Sequence, residues 1–372
     1  MNIALLSSHA LTDRNWIASG MVEGLRKRGH DVTILIADRP RFRSLRRSLR
    51  LMTLVAREGR SQTYRHKATL RRGVNRLEAA GWRRVAARLD VEALACRVEA
   101  RLPVPSYIPD ALGAARPDLF LWPTMIHLDA LENDWVKVAK AMGCPVLGAP
   151  ASWDTLVSKG ALLVRPDRLI VWGEASKRHA VEQHGFASEA VSAPGPPHFT
   201  PYEDGPIPQG KELLVAGTSL HYWRDEDEIV ARLPRVAEVR HRPHPRRRGG
   251  WDPDIWAVRR DLEPAAFVVA AFSTVIIEAA LLGRPSVLIG FGLGDQGAVL
   301  DHAKYDHMRE VAEWPSSFVA RSELDLLGRV WALLRNPLPE AAQRAIRAKA
   351  LEIAHCAPGI QERVALAIEA AR

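Results

Sequence analysis

The sequence predicts an α/β protein built from two doubly wound parallel sheets, on three observations. At 372 residues, 47% of them apolar, the chain is longer than one hydrophobic core usually spans. Short apolar runs bounded by Gly, Pro or Asp alternate with helical patterns, as buried parallel strands and their crossover helices do. A stretch at 192–210 with six prolines and no apolar periodicity interrupts this alternation once, and it predicts a domain boundary.

The first domain is predicted over residues 1–195. Its opening run IALLS is a short apolar strand, and a helical pattern over 15–28 ends at Gly29, because glycine favours helix ends. The predicted strands are 3–7, 32–37, 118–123, 145–150 and 168–173. Helices are expected between the later strands and over 174–184, which gives the alternation of a parallel sheet.

The second domain is predicted over 211–372, after a linker at 196–210. The predicted strands are 212–217, 236–243, 266–271 and 286–291, with helices over 225–233, 256–262 and 274–282 between them. Three terminal helices follow at 322–335, 339–355 and 359–371, where apolar residues recur at spacings of three and four. Ser322 is the expected amino-terminal cap of the first of these helices.

The composition excludes several classes of protein. Three widely spaced cysteines, Cys96, Cys144 and Cys356, predict neither a disulfide framework nor a zinc site. The amino terminus lacks a signal-peptide pattern, and no apolar run reaches the roughly 18 residues of a membrane span. We therefore expect a cytoplasmic protein that meets a membrane, if at all, from its surface.

The net charge of +9 is concentrated in one segment, 39–88, which holds 16 Lys or Arg and two Glu. This segment is predicted to form an inserted helical region over 39–90. Its apolar residues recur at near-helical spacing with arginines between them: Leu45, Leu49, Met52, Val55, Leu70, Val74, Leu77, Val85 and Leu89. Either the apolar stripes pack on the first domain and the arginines face water, or the arginines bind an anionic membrane surface. Nucleic acid is not expected, because the segment has only three aromatic residues, Phe42, Tyr64 and Trp82, and no reading motif.

The second domain carries the strongest candidate site. Arg242 and His244 follow a predicted strand, where open α/β sheets bind ligands, and Ser273 and Thr274 follow the next strand at the start of a helix. Both features favour an anion such as a diphosphate. Glu278 lies one helical turn beyond Thr274, where its carboxylate can accept hydrogen bonds from a ribose. The alternatives are that Ser273 caps a helix, that Glu278 pairs with Arg284, and that His244 is a bonded loop histidine.

These motifs resemble those of a known family. RPHP (242–245) followed by FSTVIIEAALLGRPSVLIGF resembles the donor domain of bacterial surface and capsular polysaccharide glycosyltransferases and of CDP-glycerol glycerophosphotransferase-like enzymes. The segments ASWDTLVSKG, RPDRLIVWGEASKRHAVEQHGF and PGPPHF are similar to the end of the acceptor domain in that group. The resemblance covers about residues 150–335. SSHALTDRN, after the first strand, lacks the glycine-rich loop of several related transferases.

The resemblance implies a GT-B fold, in which two Rossmann-like doubly wound domains face a cleft. It also implies that His244, Ser273 and Thr274 contact donor phosphates. The expected function is glycosyl transfer from a nucleotide-sugar donor to a cell-surface glycan or lipid-linked acceptor. The alternatives are glycerophosphate transfer, nucleotide-sugar 2-epimerisation, and non-catalytic binding of a sugar nucleotide or lipid in envelope assembly.

Transfer with inversion needs a general base, and Asp154 is the first candidate because it is a carboxylate in the acceptor domain. A role as a helix cap is the alternative for Asp154. His9 and Asp13, in the loop after the first strand, are the competing bases on the acceptor side. No DxD pair lies in a predicted strand-end loop, and no His/Cys/Asp array has metal-ligand spacing, so neither a metal ion nor a cofactor is expected beyond the donor substrate.

Overall fold

The computed structural model describes most of the chain. The described residues are 1–37, 42–57, 81, 89–123, 125, 132–203, 205–218, 225–233, 238–247, 249–250, 252–271, 273–292, 306–312, 314 and 317–372. They contain two parallel sheets, of six and five strands, with flanking helices. The predicted α/β class is confirmed.

The first sheet has the strand order β2-β1-β3-β4-β5-β6, and every neighbouring pair is parallel. The strands are β1 (Asn2–Ser7), β2 (Asp31–Ile36), β3 (Leu119–Trp122), β4 (Val146–Gly148), β5 (Arg168–Ile170) and β6 (Val191–Ser192). From β1 the chain moves to one side to form β2 and then returns to the other side to form β3. The crevice between the carboxyl ends of β1 and β3 is therefore a topological switch point, the place where open α/β sheets bind ligands.

The helices of the first unit are α1 (Met21–Lys27), α2 (Arg43–Arg57), α3 (Val91–Arg101), α4 (Tyr107–Ala115), α5 (Asn133–Ala141), α6 (Thr155–Ser158) and α7 (Glu174–His184). The helix predicted over 15–28 is divided. Ala10–Thr12 and a π-helical turn over Asp13–Ala18 come first, and α1 begins after Gly20, whose φ of 83° is in the left-handed region that glycine tolerates.

The second sheet has the strand order β11-β10-β9-β7-β8 and is also parallel throughout. Its strands are β7 (Glu212–Ala216), β8 (Val239–Arg242), β9 (Ala265–Ala270), β10 (Ser286–Ile289) and β11 (Ser317–Ala320). Here the chain moves from β7 to β8 on one side and then to β9 on the other. The switch point of this sheet therefore lies between β7 and β9.

The helices that follow the first unit along the chain are α8 (Glu226–Arg232), α9 (Ala257–Leu262), α10 (Val275–Leu281), α11 (Asp306–Ala312), α12 (Glu323–Arg335), α13 (Glu340–Ile353) and α14 (Ile360–Glu369). The three predicted terminal helices are confirmed as α12, α13 and α14. The cap is confirmed too, since Ser322 Oγ accepts a hydrogen bond from the Asp325 amide at 3.1 Å. Sequence patterns missed β6 and β11, which are short strands at sheet edges. Among the described residues, no helix is both long and apolar enough to cross a membrane.

Each unit has its own core, formed where helices cover the sheet. In the first, Phe120 and Trp122 of β3 pack with residues of α4, α5 and α7; in the second, Phe267 and Val269 of β9 pack with residues of α8 and α12. These side chains are at most 1% exposed. Strands β3, β4 and β10 are buried on both faces, which is why short runs without polar alternation predicted them in the sequence.

The chain passes from the first unit to the second between Thr200 and Pro201, inside the segment predicted as the linker, and returns between Pro358 and Gly359. Helix α14, predicted within the second domain, belongs to the first unit. Ion pairs with Arg28, which follows α1, attach α14 to the first unit. The Arg28 guanidinium contacts the Glu362 carboxylate at 2.7 Å and the Glu369 carboxylate at 2.8 Å, both on α14.

Helix α2 is the part of the basic segment that the structure describes in most detail. Arg46 is fully buried, and its guanidinium contacts Glu99 of α3 at 2.7 Å and Asp134 of α5 at 2.5 Å. Of the predicted apolar stripe, Leu49 is buried but Leu45 is 40% exposed. The interpretation in which all the arginines face water is therefore wrong for Arg46, because two carboxylates compensate its charge inside the protein. Met52 is partly buried and Leu89 is 52% exposed, whereas the side chain of Val55 and the predicted residues Leu70, Val74, Leu77 and Val85 lie outside what the structure describes.

Candidate active site

The carboxyl ends of three neighbouring strands form the candidate site of the second unit. Because β7 lies between β8 and β9 and all three are parallel, the loops that follow them lie at one edge of the sheet. The loop after β8 carries His244, and the loop after β9 carries Ser273 and Thr274. The predicted residues are thus brought to the same edge, on either side of the loop after β7.

The loop after β7 contains Gly217 and Thr218, which sequence patterns missed. The fully buried carboxylate of Glu226, at the start of α8, accepts a hydrogen bond from the Thr218 amide at 2.7 Å. A Cβ atom on residue 217 would lie 2.3 Å from Glu226 Oε1 and 3.1 Å from the carbonyl oxygen of Arg242. Only glycine fits there, so this loop approaches its neighbours closely. The Gly-Thr pair directly after an apolar strand is the sequence feature that could have indicated this loop as part of the site.

Glu226 also contacts a histidine and an arginine of the same edge. His241 Nε2 lies 3.0 Å from Glu226 Oε1, and Arg247 Nη1 donates to that oxygen at 2.8 Å. Arg247 Nη2 donates to both oxygens of Asp227 at 2.7 Å. Glu226, Asp227 and His241 offer atoms within 4.8 Å of one another, as metal ligands would, but the Arg247 guanidinium bonds both carboxylates and supplies positive charge there. This cluster ties β8 and α8 to the loop after β7.

The predicted phosphate ligand Arg242 is engaged elsewhere. Its guanidinium pairs with the carboxylate of Asp261 on α9, and its side chain is 10% exposed. Its carbonyl accepts a hydrogen bond from the Gly217 amide at 2.8 Å. His244 is partly buried, and its carbonyl accepts from the Arg247 amide at 2.8 Å in the turn over Pro245–Arg247. A bound phosphate would have to share the Arg242 guanidinium with Asp261.

The hydroxyl pair after β9 has two different environments. Ser273 Oγ accepts a hydrogen bond from the Val275 amide at 3.2 Å, so this serine does bond the first turn of α10, as the alternative interpretation expects. Thr274 directly precedes α10, and its side chain makes no capping hydrogen bond. Both residues are partly buried. The Thr274 hydroxyl is therefore not needed to start the helix.

Glu278 is buried, and its Oε2 accepts a hydrogen bond from the Tyr202 hydroxyl at 2.5 Å. Sequence patterns did not identify Tyr202, which ends a 3₁₀ helix over Pro197–Tyr202 in the predicted linker. Arg284, the alternative partner of Glu278, is buried too, but its Nη2 donates to the carbonyl of Glu263 at 3.2 Å. Burial lowers the pKa of Arg284 to about 10. A ribose at Glu278 would compete with the phenol of Tyr202.

At the edge of the first sheet, Asp154 is 6% exposed and directly precedes α6. Ser158 Oγ donates to Asp154 Oδ2 at 2.7 Å, and Lys159 Nζ lies 3.6 Å from the same oxygen. The Val157 amide bonds the backbone carbonyl of Asp154, and the Asp154 side chain makes no capping hydrogen bond. The aspartate thus occupies the cap position of α6, while its carboxylate contacts a hydroxyl and an ammonium group.

The two competing bases lie in the loop after β1. His9 Nδ1 accepts a hydrogen bond from the Leu11 amide at 3.1 Å and so caps the short helix Ala10–Thr12. Asp13 is exposed, and its Oδ1 accepts from Ser7 Oγ at 2.8 Å. Because Nδ1 of His9 is an acceptor, Nε2 carries the proton in the neutral ring. Asp13 is the more accessible of the two.

Sequence patterns missed a further carboxylate of this edge, Glu132. It is fully buried just before α5, and Ser8 Oγ donates to its Oε1 at 2.5 Å. This hydrogen bond joins the segments that follow β1 and β3, the two strands of the switch point. Asp13, Glu132 and Asp154 therefore follow three adjacent strands, β1, β3 and β4. In the sequence LENDW, Glu132 is indistinguishable from an ordinary acidic residue at a helix start.

Comparisons with known proteins place the fold. The chain matches no protein-family model and no curated protein sequence. Among solved structures it is similar to a putative UDP-N-acetylglucosamine 2-epimerase from Listeria monocytogenes, with a TM-score of 0.55 at 10% identity, covering 99% of this chain and 95% of that one.

Two further solved structures are similar to this chain in fold. The UDP-GlcNAc 2-epimerase of Neisseria meningitidis, bound to UDP-GlcNAc, has a TM-score of 0.54 at 10% identity and covers 100% of both chains. The MnaA protein of S. aureus, solved with UDP, has a TM-score of 0.52 at 10% identity and covers 97% of this chain and 94% of that one. At this identity the likeness concerns the fold. The chain has the GT-B type of fold that its motifs predicted.

Proposed function

We propose that this protein is a GT-B glycosyltransferase that transfers a sugar from a nucleotide-sugar donor to a cell-surface glycan or lipid-linked acceptor. One observation carries the proposal. The loops with Gly217–Thr218 and Ser273–Thr274 flank the switch point between β7 and β9, and the loop with His244 adjoins them. Hydroxyl groups and an imidazole at such a crevice are donors suited to the oxygens of a diphosphate.

The donor's nucleoside would lie against α10, where Glu278 is the candidate for the ribose. In this proposal, a ribose hydroxyl replaces or joins the Tyr202 hydroxyl that Glu278 already accepts at 2.5 Å. The guanidinium of Arg242 would be shared between the donor phosphate and Asp261, with which it is paired. Thr218, in the loop after β7, is a further hydroxyl residue of this edge.

Asp154 is the proposed general base. Its carboxylate lies 3.6 Å from the Lys159 ammonium and accepts a hydrogen bond from Ser158, and these contacts orient it for taking the proton of an acceptor hydroxyl. His9 and Asp13 stay the alternative bases. A lipid-linked acceptor would bring the enzyme to a membrane surface, for which the basic segment 39–88 is one candidate region.

Nucleotide-sugar 2-epimerisation is the second candidate, and one finding favours it. Epimerisation at a C–H centre needs acid and base groups around the sugar, and Asp13, Glu132 and Asp154 follow adjacent strands of the first sheet. The fold likeness to 2-epimerases is compatible with this candidate but does not distinguish it from transfer.

Calorimetric titration against UDP, CDP, CMP, GDP and ADP tests the shared part of both candidates. We expect one nucleoside diphosphate to bind. His244→Ala should weaken this binding at least tenfold and leave the circular dichroism spectrum unchanged. His355→Ala, in the same unit after α13, is the control and should bind like the unmodified protein. If no nucleotide binds, or if both variants bind equally well, the proposed donor site is wrong.

Product analysis in heavy water separates the candidates. A transferase releases the nucleoside diphosphate and needs an acceptor, whereas an epimerase without acceptor converts the sugar nucleotide to its epimer and takes up solvent deuterium at the inverted carbon. Binding of CDP with release of CMP from CDP-glycerol would identify glycerophosphate transfer. Binding without turnover of any donor would identify a sugar-nucleotide-binding protein.

A further inference from the structure

Helix α12 presents apolar side chains to solvent on the face opposite its core. Leu326, Val330 and Leu333 pack into the core of the second unit. On the other face, Leu324 is 81% exposed and Trp331 is 50% exposed. The two are seven residues apart, so they lie on the same side of the helix, about 10 Å apart along its axis.

Arginines lie at both ends of this face. Arg321 precedes the cap residue Ser322, and Arg335 ends the helix with its guanidinium carbon 4.4 Å from the centroid of the Trp331 ring. Both are exposed, and in the described part of the chain neither guanidinium is bonded to a carboxylate. This face of α12 therefore combines two exposed apolar side chains with two positive charges.

The acidic residues of α12 do not cancel this charge, because each is already paired. Asp325 contacts Arg329 at 2.8 Å and accepts from the Arg321 amide at 2.9 Å. Glu323 pairs with Arg232 of α8. The unpaired charge at this face is thus entirely positive.

The described part of the basic segment offers a weaker lipid-binding surface. Arg46 and Arg50 of α2 are buried, and Arg46 is held by Glu99 and Asp134. Of its arginines, Arg43 is exposed and Arg47 is partly exposed, and the adjacent apolar residue Leu45 is 40% exposed. The protein uses part of this helix's charge to dock the helix on its own core.

We propose that the outer face of α12, formed by Arg321, Leu324, Trp331 and Arg335, binds an anionic lipid surface. Tryptophan and leucine enter the interface between headgroups and acyl chains, and the flanking arginines bind the phosphates. A second protein is the less suitable occupant. Stable protein interfaces bury at least about 1,000 Å², far more than two apolar side chains provide. The inference does not rest on the proposed enzymatic function.

Vesicle flotation of the full chain, without nucleotide, tests the proposal. We expect flotation with vesicles that contain phosphatidylglycerol and little with phosphatidylcholine alone. Leu324→Gln with Trp331→Gln should reduce the bound fraction at least tenfold on the anionic vesicles. Arg321→Gln with Arg335→Gln should lower the anionic partition coefficient by about fivefold per arginine at low salt.

Two control pairs make the result specific. Met142→Gln with Leu366→Gln removes two apolar side chains of similar exposure, 49% each, from the first unit and should leave flotation unchanged. Arg43→Gln with Arg47→Gln tests α2. The proposal is overturned if the unmodified protein floats with neither or equally with both compositions, or if only the α2 pair abolishes flotation. It is also overturned if sedimentation without lipid shows a dimer that the α12 apolar pair dissociates.

Discussion

The carboxyl edges of the two sheets differ in how they hold their acidic side chains. At the first, Glu132 and Asp154 are buried and accept hydrogen bonds from the serine hydroxyls of Ser8 and Ser158. At the second, Glu226 is buried and bonds a backbone amide, an imidazole and a guanidinium. A hydroxyl can rotate to follow a proton transfer, whereas the partners of Glu226 fix a loop. We propose that the first edge carries the acid–base groups and that the second holds the ligand.

The largest expected effect is the loss of turnover in Asp154→Asn. Removing a general base should lower turnover at least about 100-fold, because such groups contribute roughly 10²- to 10⁴-fold. Nucleotide affinity should change less than twofold, since the donor site is assigned to the other sheet. Steady-state kinetics and calorimetry measure the two quantities. Asp110→Asn, an exposed position at the start of α4, is the control, and equal turnover of the two variants would exclude Asp154 as the base.

The next effect concerns the close approach at the second edge. In Gly217→Ala the new Cβ would lie 2.3 Å from Glu226 Oε1, so the buried carboxylate must move. We expect a loss of about 1–3 kcal/mol in the free energy of unfolding, the usual range for overpacking, together with weaker nucleotide binding. Urea unfolding measures the change in the free energy of unfolding. Gly113→Ala in α4, where a Cβ meets no atom within 4 Å, should instead stabilise the protein by about 0.5–1 kcal/mol.

The two edges also differ in how much of each could be predicted from the sequence. Patterns predicted the second edge as a region, because His244, Ser273 and Thr274 follow predicted strands. At the first edge they named only the single candidate bases His9, Asp13 and Asp154. They did not predict Glu132, Glu226 or Tyr202, because each becomes part of a site through partners 124, 8 or 76 residues away that no local pattern relates to it. They also assigned Arg242 to a phosphate, although the fold places Asp261 beside it.

A smaller effect is expected from Tyr202→Phe. The variant leaves Glu278 without the hydroxyl that donates to it at 2.5 Å. Losing a hydrogen bond to a buried charged group costs about 1.5–3 kcal/mol, and water that reaches the carboxylate reduces this cost. We expect a destabilisation of about 1 kcal/mol in urea unfolding of the nucleotide-free protein. A bound nucleotide whose ribose reaches Glu278 should restore part of the lost free energy of unfolding. If the nucleotide leaves the loss unchanged, Glu278 does not bind the ribose.

The smallest effect concerns the first unit and pH. Hydrogen bonds from Arg28 and His30 lower the pKa of Glu369 to about 2, from an ordinary value of 4.5. A lowered carboxyl pKa adds stability that is complete above pH 4.5 and disappears as the pH falls towards 2. Glu369→Gln should therefore lower the melting temperature slightly at pH 7, with a difference that vanishes near pH 2. A difference that persists at pH 2 would show that the packing of α14, and not the charge, is responsible.

The sequence by itself determined the α/β class, the alternation of strands and helices, the region of the linker and the residues at strand ends. These follow from local patterns, since burial of both sheet faces imposes short apolar runs and turns require glycine and proline. Only the tertiary structure decided the strand orders, the return of α14 to the first unit and the burial of Arg46. The physical reason is that a buried charge is stable only beside a compensating partner, and the fold brings Glu99 and Asp134 to Arg46 from 53 and 88 residues away.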